Sequence, residues 1–409
     1  MRRLLACLLL VLALPASALA DVRAKASLRE VSDPRAAGMD PSGVRRVDAI
    51  LNAAIRKQVT PGAALAIGRY GKLVRLRGYG RTDYSDGAAR VNEHTLYDLA
   101  SLTKAVGTTS AVMLLVQQQR LDLDAPLGTY LLEWRGAFDR VHMTARHLLS
   151  HTSGLPPGGP LKGVGRDRSL IPAVMAAMPL TSPPGARYEY SDYGMILLGA
   201  LVERIAGERL DAFLDRHLFQ PAGLFETGFV PLDLDADDAI SSFRLTSSRR
   251  SLIDRIAPTE RTRSRGHIRG VVHDPLAYRL NGVAGNAGMF SSAHDLAQFA
   301  QLLLAGGVAD TLRIFDTDVL RAFTTRKSPG SRFALGWEMA REGGPSGDLF
   351  PASAFGHTGF TGTSIWIDPE HDLYVVLLTN RVSPNASERR HAQLRRDLHD
   401  AIQKALLPG

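Results

Sequence analysis

The 409-residue sequence predicts an α/β (α+β) fold, in which helices flank a mostly antiparallel sheet and a mainly helical region is inserted. Strand patterns near both ends of the chain, with helical patterns between them, predict this arrangement. The composition, 45% hydrophobic and 22% charged, is that of a globular protein. Because single cores stop growing beyond about 250–300 residues, we expect two parts within the unit 41–400. The α/β part is expected at 41–99 and 290–407, and the helical part at 100–289.

The first 20 residues predict a cleavable signal peptide. Two arginines precede an apolar run at 4–14 that is too short to span a bilayer, and Ala-Leu-Ala at 18–20 matches the pattern that signal peptidase cuts. Cleavage after Ala20 would leave a flexible lead-in over 21–40 and a periplasmic or secreted protein. Lipid attachment at Cys7 is disfavoured because the apolar stretch before it is too short. No later stretch reaches about 18 uninterrupted apolar residues, so we expect no membrane span.

The α/β part begins with a predicted helix and a predicted hairpin. Apolar residues at helical spacing follow Ser42, which predicts a helix over 42–57 with Ser42 as its N-cap. The segments 64–69 and 73–79 have the composition of strands and flank the turn Tyr70-Gly71. We therefore expect a β-hairpin at this place in the chain.

Helical patterns dominate the middle of the chain, and strand patterns return towards its C terminus. Helices are expected at 101–119, 145–150, 194–205, 210–218 and 293–304. Strands with aromatic and β-branched content are expected at 333–339, 364–367 and 374–379, followed by a closing helix at 386–407. Strands from both ends of the chain would therefore meet in one sheet.

The first cluster that could carry chemistry is the pair Ser101 and Lys104. One helical turn separates them, so the lysine amine can reach the serine hydroxyl. A serine needs a neighbouring base to act as a nucleophile, and lysine serves only if burial or nearby cations lower its pKa well below about 10.4. The alternative is an N-cap serine beside a surface lysine, because a motif this short also occurs by chance.

Two further clusters follow at a wide spacing. Tyr190, in the turn Tyr-Ser-Asp at 190–192, could relay protons if cationic neighbours stabilise its phenolate. Alternatively, the tyrosine packs its ring while Asp192 caps a helix. The run Gly-His-Thr-Gly at 356–359 leads into a predicted strand, where His357 could bind a carboxylate when protonated or pass a proton. The alternative there is a plain hairpin turn rich in glycine and threonine.

The order of these clusters resembles the serine β-lactamase and penicillin-binding protein superfamily. Ser-x-x-Lys comes early, Tyr-Ser-Asp lies mid-chain and His-Thr-Gly precedes a late strand. The tyrosine is similar to that of the class C β-lactamase and D-alanyl-D-alanine carboxypeptidase branch. Supporting matches lie at 97–100, 146–155, 197–199 and 282–288. The resemblance covers about residues 40–400 and implies a β-lactamase/transpeptidase-like fold with an α/β part and a helical part.

The resemblance implies a two-step acyl transfer. Ser101 would attack the substrate carbonyl, and Lys104 and Tyr190 would share its proton. The backbone N–H groups of Ser101 and Phe360 would form the oxyanion hole. The resemblance also implies that no metal or organic cofactor is needed. Substrate-binding positions implied by the motifs are Asp192, His357, Thr358 and Gly359.

Three departures from the pattern bear on the substrate. His357 replaces the lysine of β-lactamases, a change also found in relatives that act on D-amino-acid peptides. Asp192 stands where penicillin-recognising members usually have asparagine, so an amide donor is lost and a negative charge is added. Asn286 stands where many members of the branch have histidine, and the sequence assigns it no role. We therefore expect an exported hydrolase of an ester or a D-amino-acid-containing peptide. A class C-type β-lactamase and an inactive cell-wall or ligand-binding module stay open.

Several other function classes are disfavoured by the sequence. The sole cysteine, Cys7, lies in the expected signal peptide, which excludes a disulfide framework, a thiolate zinc site and a cysteine nucleophile. His147 and His151 have zinc-pair spacing but lack the glutamate of such motifs, so no metal site is expected.

The formal charge of +8 includes an arginine-rich stretch at 249–269 without interleaved aromatic residues. It favours an exposed loop near the cleft, neutralised by the acidic segment at 233–238, over binding to nucleic acid. The expected partner is a small-molecule or peptide substrate, with cell-wall material as a candidate. The oligomeric state is not predicted by the sequence.

Overall fold

The computed structural model describes residues 30–136, 139–164, 167–232, 243, 249–327, 330–383 and 387–408. The expected signal peptide and the lead-in up to residue 29 lie outside the described residues, as does the acidic segment at 233–238. Within the described ranges, no helix is both long and apolar enough to cross a membrane.

Six strands from the two ends of the described chain form one antiparallel sheet. In chain order, all strands of the described residues, including those outside this sheet, are β1 Gly62–Arg69, β2 Lys72–Gly80, β3 Tyr97–Asp98, β4 Gly228–Phe229, β5 Arg261–Thr262, β6 Gly266–His267, β7 Met289–Ser291, β8 Val308–Ala309, β9 Leu312–Arg313, β10 Glu338–Met339, β11 Phe355–Thr358, β12 Ser364–Asp368 and β13 Leu373–Thr379. The large sheet has the order β10-β11-β12-β13-β1-β2. Within it, the N-terminal strand β1 pairs with β13, the last strand among the described residues.

Helices cover both faces of this sheet. The α-helices, in chain order, are α1 Pro41–Arg56, α2 Ser110–Gln117, α3 Ala145–Leu149, α4 Ile171–Ala176, α5 Asp192–Ala206, α6 Leu210–Leu214, α7 Arg249–Arg255, α8 Pro275–Arg279, α9 Ala293–Leu304, α10 Thr317–Thr324 and α11 Glu388–Gln403. Helix α1 packs on α11 at one face, and α9 contacts β1 and β13 at the other. Together these elements form the predicted mixture of helices and antiparallel sheet.

Strand β1 shows how the sequence specifies the two faces. Leu65 and Ile67 join the apolar cluster that contains residues of α1 and α11, whereas Ala64 and Ala66 join the larger cluster that contains α9. Because successive side chains of a strand point to opposite faces, this alternation fixes the register. Every residue of β1 is buried, as expected for a strand that is covered on both sides.

A small second sheet leads directly to the serine predicted as nucleophile. Its strand order is β3-β7-β4, and β3 pairs with β7 through Tyr97 and Asp98. The N–H group of Leu99 continues the pairing by donating to the carbonyl of Met289 at 2.9 Å. Ser101 follows two residues later, so this sheet fixes where the chain turns.

Several element predictions are confirmed, and the cap of the first helix is corrected. The hairpin turns at Tyr70-Gly71, where both residues have positive φ, 52° and 68°. The predicted helix at 42–57 is α1, but Ser42 does not cap it. Asp40 is the N-cap: its carboxylate accepts the N–H groups of Ser42 and Gly43, and proline follows as the first helical residue.

Two predicted elements near the site differ from the observed ones. The strand predicted at 333–339 is wrong over most of its length, because only Glu338–Met339 is a strand. Gly336 has a φ of +79°, and its N–H group donates to the carbonyl of Leu149, so the chain turns there. The helix predicted at 101–119 is interrupted, since Lys104–Thr109 is π-helical before α2 begins.

Two other helices have different bounds from those predicted. The helix predicted at 210–218 ends as α6 at Leu214 and continues as the π-helical segment Asp215–Phe219. The closing helix is confirmed as α11, although it spans Glu388–Gln403 rather than 386–407.

The cap at Asp40 gives a prediction about stability. Replacing Asp40 by alanine leaves two N–H groups of the first helical turn without their acceptor, so we expect a loss of about 1 kcal/mol in the free energy of unfolding. Chemical denaturation of Asp40→Ala measures this loss. Asp40→Asn is the matched control and should keep most of the stability, because asparagine caps nearly as well. Equal losses in both variants would contradict the capping role.

Candidate active site

The turn into Ser101 is held by a buried carboxylate. Ala100 has a φ of 47°, a left-handed conformation that is uncommon for a residue with a side chain. Its N–H group donates to Asp98 Oδ1 at 2.8 Å, while Asp98 Oδ2 accepts the N–H group of His273 at 2.6 Å. These bonds offset the strain of the turn and fix Ser101 at the start of the helical segment.

Lys104 lies beside Ser101 and is buried, with 1% of the residue exposed. Its Nζ atom donates to Ser101 Oγ at 2.9 Å and to the backbone carbonyl of Asn286 at 3.0 Å. It also forms an ion pair of 2.7 Å with Asp192 Oδ1. An ammonium group has three N–H donors, and these three acceptors match them. Asn286, to which the sequence analysis assigned no role, therefore contributes its carbonyl group.

The charge of Asp192 decides the protonation state of Lys104. Burial alone would lower the pKa of Lys104, but the negative charges of Asp192 and Tyr190 outweigh burial and raise the pKa above its ordinary value. At neutral pH Lys104 is therefore an ammonium group. The condition stated above for lysine to act as the base, a pKa well below about 10.4, is not met in the free enzyme.

Tyr190 lies between Lys104 and two histidines. The Lys104 Nζ atom is 5.1 Å from the centroid of the Tyr190 ring. The ring centroid lies 4.4 Å from that of His151 and 6.2 Å from that of His357. The phenol thus lies next to a buried cation, the neighbour that the sequence analysis required for proton relay.

Hydrogen bonds made by Ser191 hold the turn that carries Tyr190 in place. The N–H group of Ser191 donates to His151 Nδ1 at 3.2 Å, and Ser191 Oγ donates to the carbonyl of Pro156 at 2.6 Å. Ser191 also caps α5, because its Oγ accepts the N–H group of Gly194. Asp192, offered as the cap in the alternative interpretation, is instead the first helical residue and pairs with Lys104.

The turn after β11 is docked onto the segment that precedes Ser101. Thr361 Oγ1 donates to the carbonyl of Asp98 at 2.7 Å, and Thr363 Oγ1 donates to the carbonyl of Leu99 at 2.9 Å. A Cβ atom at Gly359 would overlap the Thr363 side chain and the Leu99 carbonyl, so the close approach requires glycine.

Two backbone N–H groups are left for a ligand by this docking. Among the described residues, the N–H groups of Ser101 and Phe360 donate to no other group. The Phe360 side chain is 53% exposed, so its turn lies at the open side of the site. An oxyanion hole needs two N–H donors that are not used by other acceptors, so these two groups keep the role predicted from the sequence as a prediction.

His357 is a neutral acceptor in this structure. It is 2% exposed, and its Nδ1 contacts the carbonyl of Thr358 at 2.8 Å, so Nδ1 carries the proton. Burial, assisted by the charge of Lys104, lowers the pKa of His357 to about 3. Its Nε2 atom is buried and has no hydrogen-bond partner among the described residues. A neutral histidine with an acceptor at Nε2 does not attract a carboxylate, so the substrate-binding prediction stands only for a ligand that donates a hydrogen bond.

A cavity of about 270 Å³ brings the predicted residues together. Its lining includes six positions named from the sequence motifs: Ser101, Tyr190, His357, Thr358, Gly359 and Phe360. Lys104 and Asp192 are not part of its lining, although Lys104 is bonded to Ser101. The cavity also contains charged residues that the motifs did not reveal, namely Arg332, Glu338, Arg381, Glu388 and Arg395. No short motif marks these residues, which come from loops, strand β10 and helix α11.

His147 and His151, whose spacing is that of a zinc pair, have hydrogen-bond partners of their own. His147 Nδ1 accepts the N–H group of Thr144, and His151 Nδ1 accepts that of Ser191. Elsewhere in the described chain, His94, Glu226 and His294 place ligand atoms within 4.8 Å of one another. The Glu226 carboxylate there is already bonded to Arg255 and to His94 Nδ1.

Comparison with known proteins decides the family. The family model described as Beta-lactamase matches residues 47–400. The chain belongs to this β-lactamase/transpeptidase-like family of serine hydrolases. It is 31% identical over 366 residues to the N-acetylmuramyl-L-alanine amidase of Bacillus subtilis strain 168, covering 83% of this chain and 81% of that protein.

Other relatives agree with this assignment. A protein of Escherichia coli K12 named "Putative D-alanyl-D-alanine carboxypeptidase" is 29% identical over 390 residues, covering 89% of this chain and 88% of its own. A penicillin-binding protein homologue from Caulobacter crescentus has the same fold, with a TM-score of 0.69 at 21% identity over 89% of this chain and 99% of that one. The family and fold expected from the motifs are confirmed.

The docking of the Phe360 turn gives a prediction about catalysis. A methyl group at Gly359 must push the turn away from Leu99, which displaces the Phe360 N–H group from the predicted oxyanion hole. We expect Gly359→Ala to lower kcat about 100-fold or more for hydrolysis of p-nitrophenyl acetate. Gly87→Ala is the control, because a Cβ atom at Gly87 meets no other atom. An unchanged kcat for a folded Gly359→Ala protein would remove this turn from the mechanism.

Proposed function

We propose that the chain is an exported serine hydrolase that acts through an acyl-enzyme at Ser101. Its substrate would be an ester or a D-amino-acid-containing peptide or amide. The observation that carries this proposal is the hydrogen bond of 2.9 Å between Lys104 Nζ and Ser101 Oγ at the wall of an accessible cavity. The adjacent phenol of Tyr190 supplies a group that can exchange protons with that serine.

Acylation begins when Ser101 Oγ attacks the substrate carbonyl carbon and transfers its proton to the Tyr190 oxygen. This transfer requires Tyr190 to act as a phenolate, and the Lys104 ammonium beside the ring would stabilise that negative charge. The N–H groups of Ser101 and Phe360 donate hydrogen bonds to the carbonyl oxygen and so stabilise the negative charge that develops on it. Collapse of the tetrahedral intermediate breaks the bond to the leaving group, which takes the proton from Tyr190.

Deacylation repeats these steps with water as the nucleophile. Tyr190 takes a proton from the water, the water oxygen bonds to the acyl carbon, and the bond to Ser101 Oγ breaks with return of a proton to the serine. The roles of the chain are therefore distinct. Ser101 is the nucleophile, Tyr190 exchanges protons, and Lys104 holds charge without itself acting as the base in the free enzyme.

The relatives support a peptide or amide substrate of cell-wall type. The names of the B. subtilis and E. coli relatives describe an amidase and a D-alanyl-D-alanine carboxypeptidase. Enzymes that meet such material work outside the cytoplasm, which agrees with the signal peptide expected from the sequence and supports a periplasmic or secreted location. We extend both features, the substrate class and the location, to this chain as part of the proposal.

The two alternative functions, a class C-type β-lactamase and an inactive binding module, have less support. A class C-type β-lactamase would use a cationic lysine where this chain has neutral His357, and an asparagine amide where Asp192 is committed to Lys104. An inactive binding module would not need the arrangement in which Ser101 and Lys104 are bonded beside Tyr190.

Ser101 gives the direct test of the proposed function. A fluorophosphonate probe reacts only with an activated serine, so we expect labelling of the wild-type protein and complete loss of labelling in Ser101→Ala. Ser85→Ala, which removes an exposed serine hydroxyl, should label like the wild type. Intact-protein mass spectrometry measures the adduct. Equal labelling of the wild type and Ser101→Ala would overturn the proposal.

The ion pair between Lys104 and Asp192 predicts a shift in the pH profile. In the wild type the charge of Asp192 raises the pKa of Lys104, so the ammonium persists as the pH rises through the ordinary lysine value of about 10.4. In Asp192→Asn burial dominates and the pKa falls, so the ammonium is lost at lower pH. We therefore expect the alkaline limb of kcat/KM to move to lower pH by about one pH unit or more.

Asp254→Asn is the matched control for this prediction. Asp254 is exposed on α7, so the substitution makes the same chemical change away from the cavity. Its pH profile should match that of the wild type. An alkaline limb in Asp192→Asn that stays in place, or moves to higher pH, would show that Asp192 does not control the charge of Lys104.

A further inference from the structure

Three residues with side chains that can bind a metal lie at one edge of the small sheet β3-β7-β4. His94 lies just before β3, Glu226 just before β4 and His294 just after β7. Because β3 and β4 each pair with β7 in the antiparallel direction, the starts of these two strands and the end of β7 lie at the same edge. The sheet therefore brings together three residues that are far apart in the sequence.

The side chains of these three residues approach one another closely. His94 Nδ1 lies 3.0 Å from Glu226 Oε2, and one ligand atom from each of the three residues lies within 4.8 Å of the others. Two atoms bound to the same zinc ion are about 3–4 Å apart, because each bond is about 2.0–2.2 Å long. The three ligand atoms are therefore near the spacing that a shared zinc ion requires.

A buried carboxylate contacts the imidazole of His294. Asp295 Oδ1 lies 3.3 Å from His294 Nδ1, while Asp295 Oδ2 accepts the N–H group of Glu226 at 2.7 Å and the hydroxyl of Thr227 at 2.9 Å. A histidine that binds a metal through one ring nitrogen commonly donates its other N–H group to a carboxylate. Asp295 can therefore orient His294 and, through the backbone, the segment that carries Glu226.

The charges around the three residues also favour a cation. Glu226 is 2% exposed and Asp295 is 1% exposed, so two carboxylates are buried side by side. Among the ion pairs of the described residues, these two carboxylates share one arginine, Arg255, which binds Glu226 Oε1, and their other partners are histidines. Because buried charge needs compensation, a divalent cation beside Glu226 Oε2 would balance the second carboxylate.

The set of donors and its exposure fit zinc better than magnesium or calcium. Two imidazoles and one carboxylate are typical zinc ligands, with water in the fourth position, whereas magnesium and calcium prefer oxygen ligands. The His94 side chain is 46% exposed, while that of Glu226 is 2% exposed. The cluster is therefore open to solvent on the side of His94, where an ion can enter and a water molecule can bind.

We propose that His94, Glu226 and His294 bind a zinc ion that holds the ends of β3, β4 and β7 together. The ion would have no part in the acyl transfer proposed above. It would stabilise the small sheet, whose strand β3 leads into Ser101. The zinc site is independent of the proposed function, because it requires neither a substrate nor an acyl-enzyme.

Isothermal titration calorimetry with zinc chloride tests this site. The purified full-length protein is first dialysed against a chelator and then against buffer without chelator. We expect one zinc ion per chain, with a dissociation constant of about 1 µM or below. Magnesium chloride should give no binding in the same experiment. At a free zinc concentration about 100-fold above the dissociation constant, we expect Tm to rise by about 3–5 °C.

Substitutions in the cluster and one matched control locate the bound ion. His94→Gln and Glu226→Gln each remove a ligand and should weaken zinc binding by about 100-fold or more. Asp295→Asn removes only a partner of a ligand and should weaken zinc binding by about 10- to 100-fold. His142→Gln makes the same chemical change at an exposed histidine outside the cluster, so it should bind zinc like the wild type.

Thermal unfolding without zinc shows whether each variant is folded. Glu226 is buried, so Glu226→Gln could fail to fold for reasons unrelated to zinc. His94→Gln then still tests the site, because the His94 side chain is largely exposed and its replacement leaves Glu226 bonded to Arg255.

Three results would overturn the zinc site. The first is a wild-type protein that binds no zinc. The second is an adventitious ion only, in which the wild type and folded His94→Gln bind zinc with equal affinity. The third is an equal affinity of the wild type for zinc and magnesium, since two imidazole ligands should discriminate between these ions.

Discussion

The structure of the site depends on one buried ammonium group. Lys104 holds together three separate parts of the chain through its contacts with the Ser101 hydroxyl, the Asn286 carbonyl and the Asp192 carboxylate. Because an uncompensated charge in the interior costs several kcal/mol, loss of any of these partners affects the positions of the others. Tyr190 precedes the helix that starts at Asp192, so the same contacts that neutralise the lysine also bring the phenol to the serine.

Because Lys104 is held as an ammonium group, the proposed catalytic steps are assigned to different kinds of group. A lysine that is held as an ammonium by Asp192 stabilises negative charge but is a poor base, so the proposed mechanism assigns proton exchange to Tyr190. In the proposed mechanism the backbone N–H groups of Ser101 and Phe360 donate to the carbonyl oxygen, and the threonine bonds dock the Phe360 turn onto the segment before Ser101.

The features that the sequence predicted correctly are local or periodic. The hairpin at Tyr70-Gly71 follows from turn chemistry, and helix α9 was predicted at its observed bounds from its apolar stripe. The family followed from the order of three short motifs. Contacts between distant segments were not predictable: nothing near Asp192 in the sequence indicates that it pairs with a lysine 88 positions earlier, as the structure shows. The burial of Arg381 is marked by no motif either.

Nitrogen-15 NMR of the lysine side chains tests the central claim, that Lys104 is an ammonium group in the free enzyme. The resonance is assigned by its absence in Lys104→Met, and its shift is followed as the pH is raised. We expect the signal of the Lys104 Nζ atom to remain that of an ammonium group beyond the ordinary lysine pKa of about 10.4. Conversion to a neutral amine below about pH 8 would contradict the account, because Lys104 would then be available as the base.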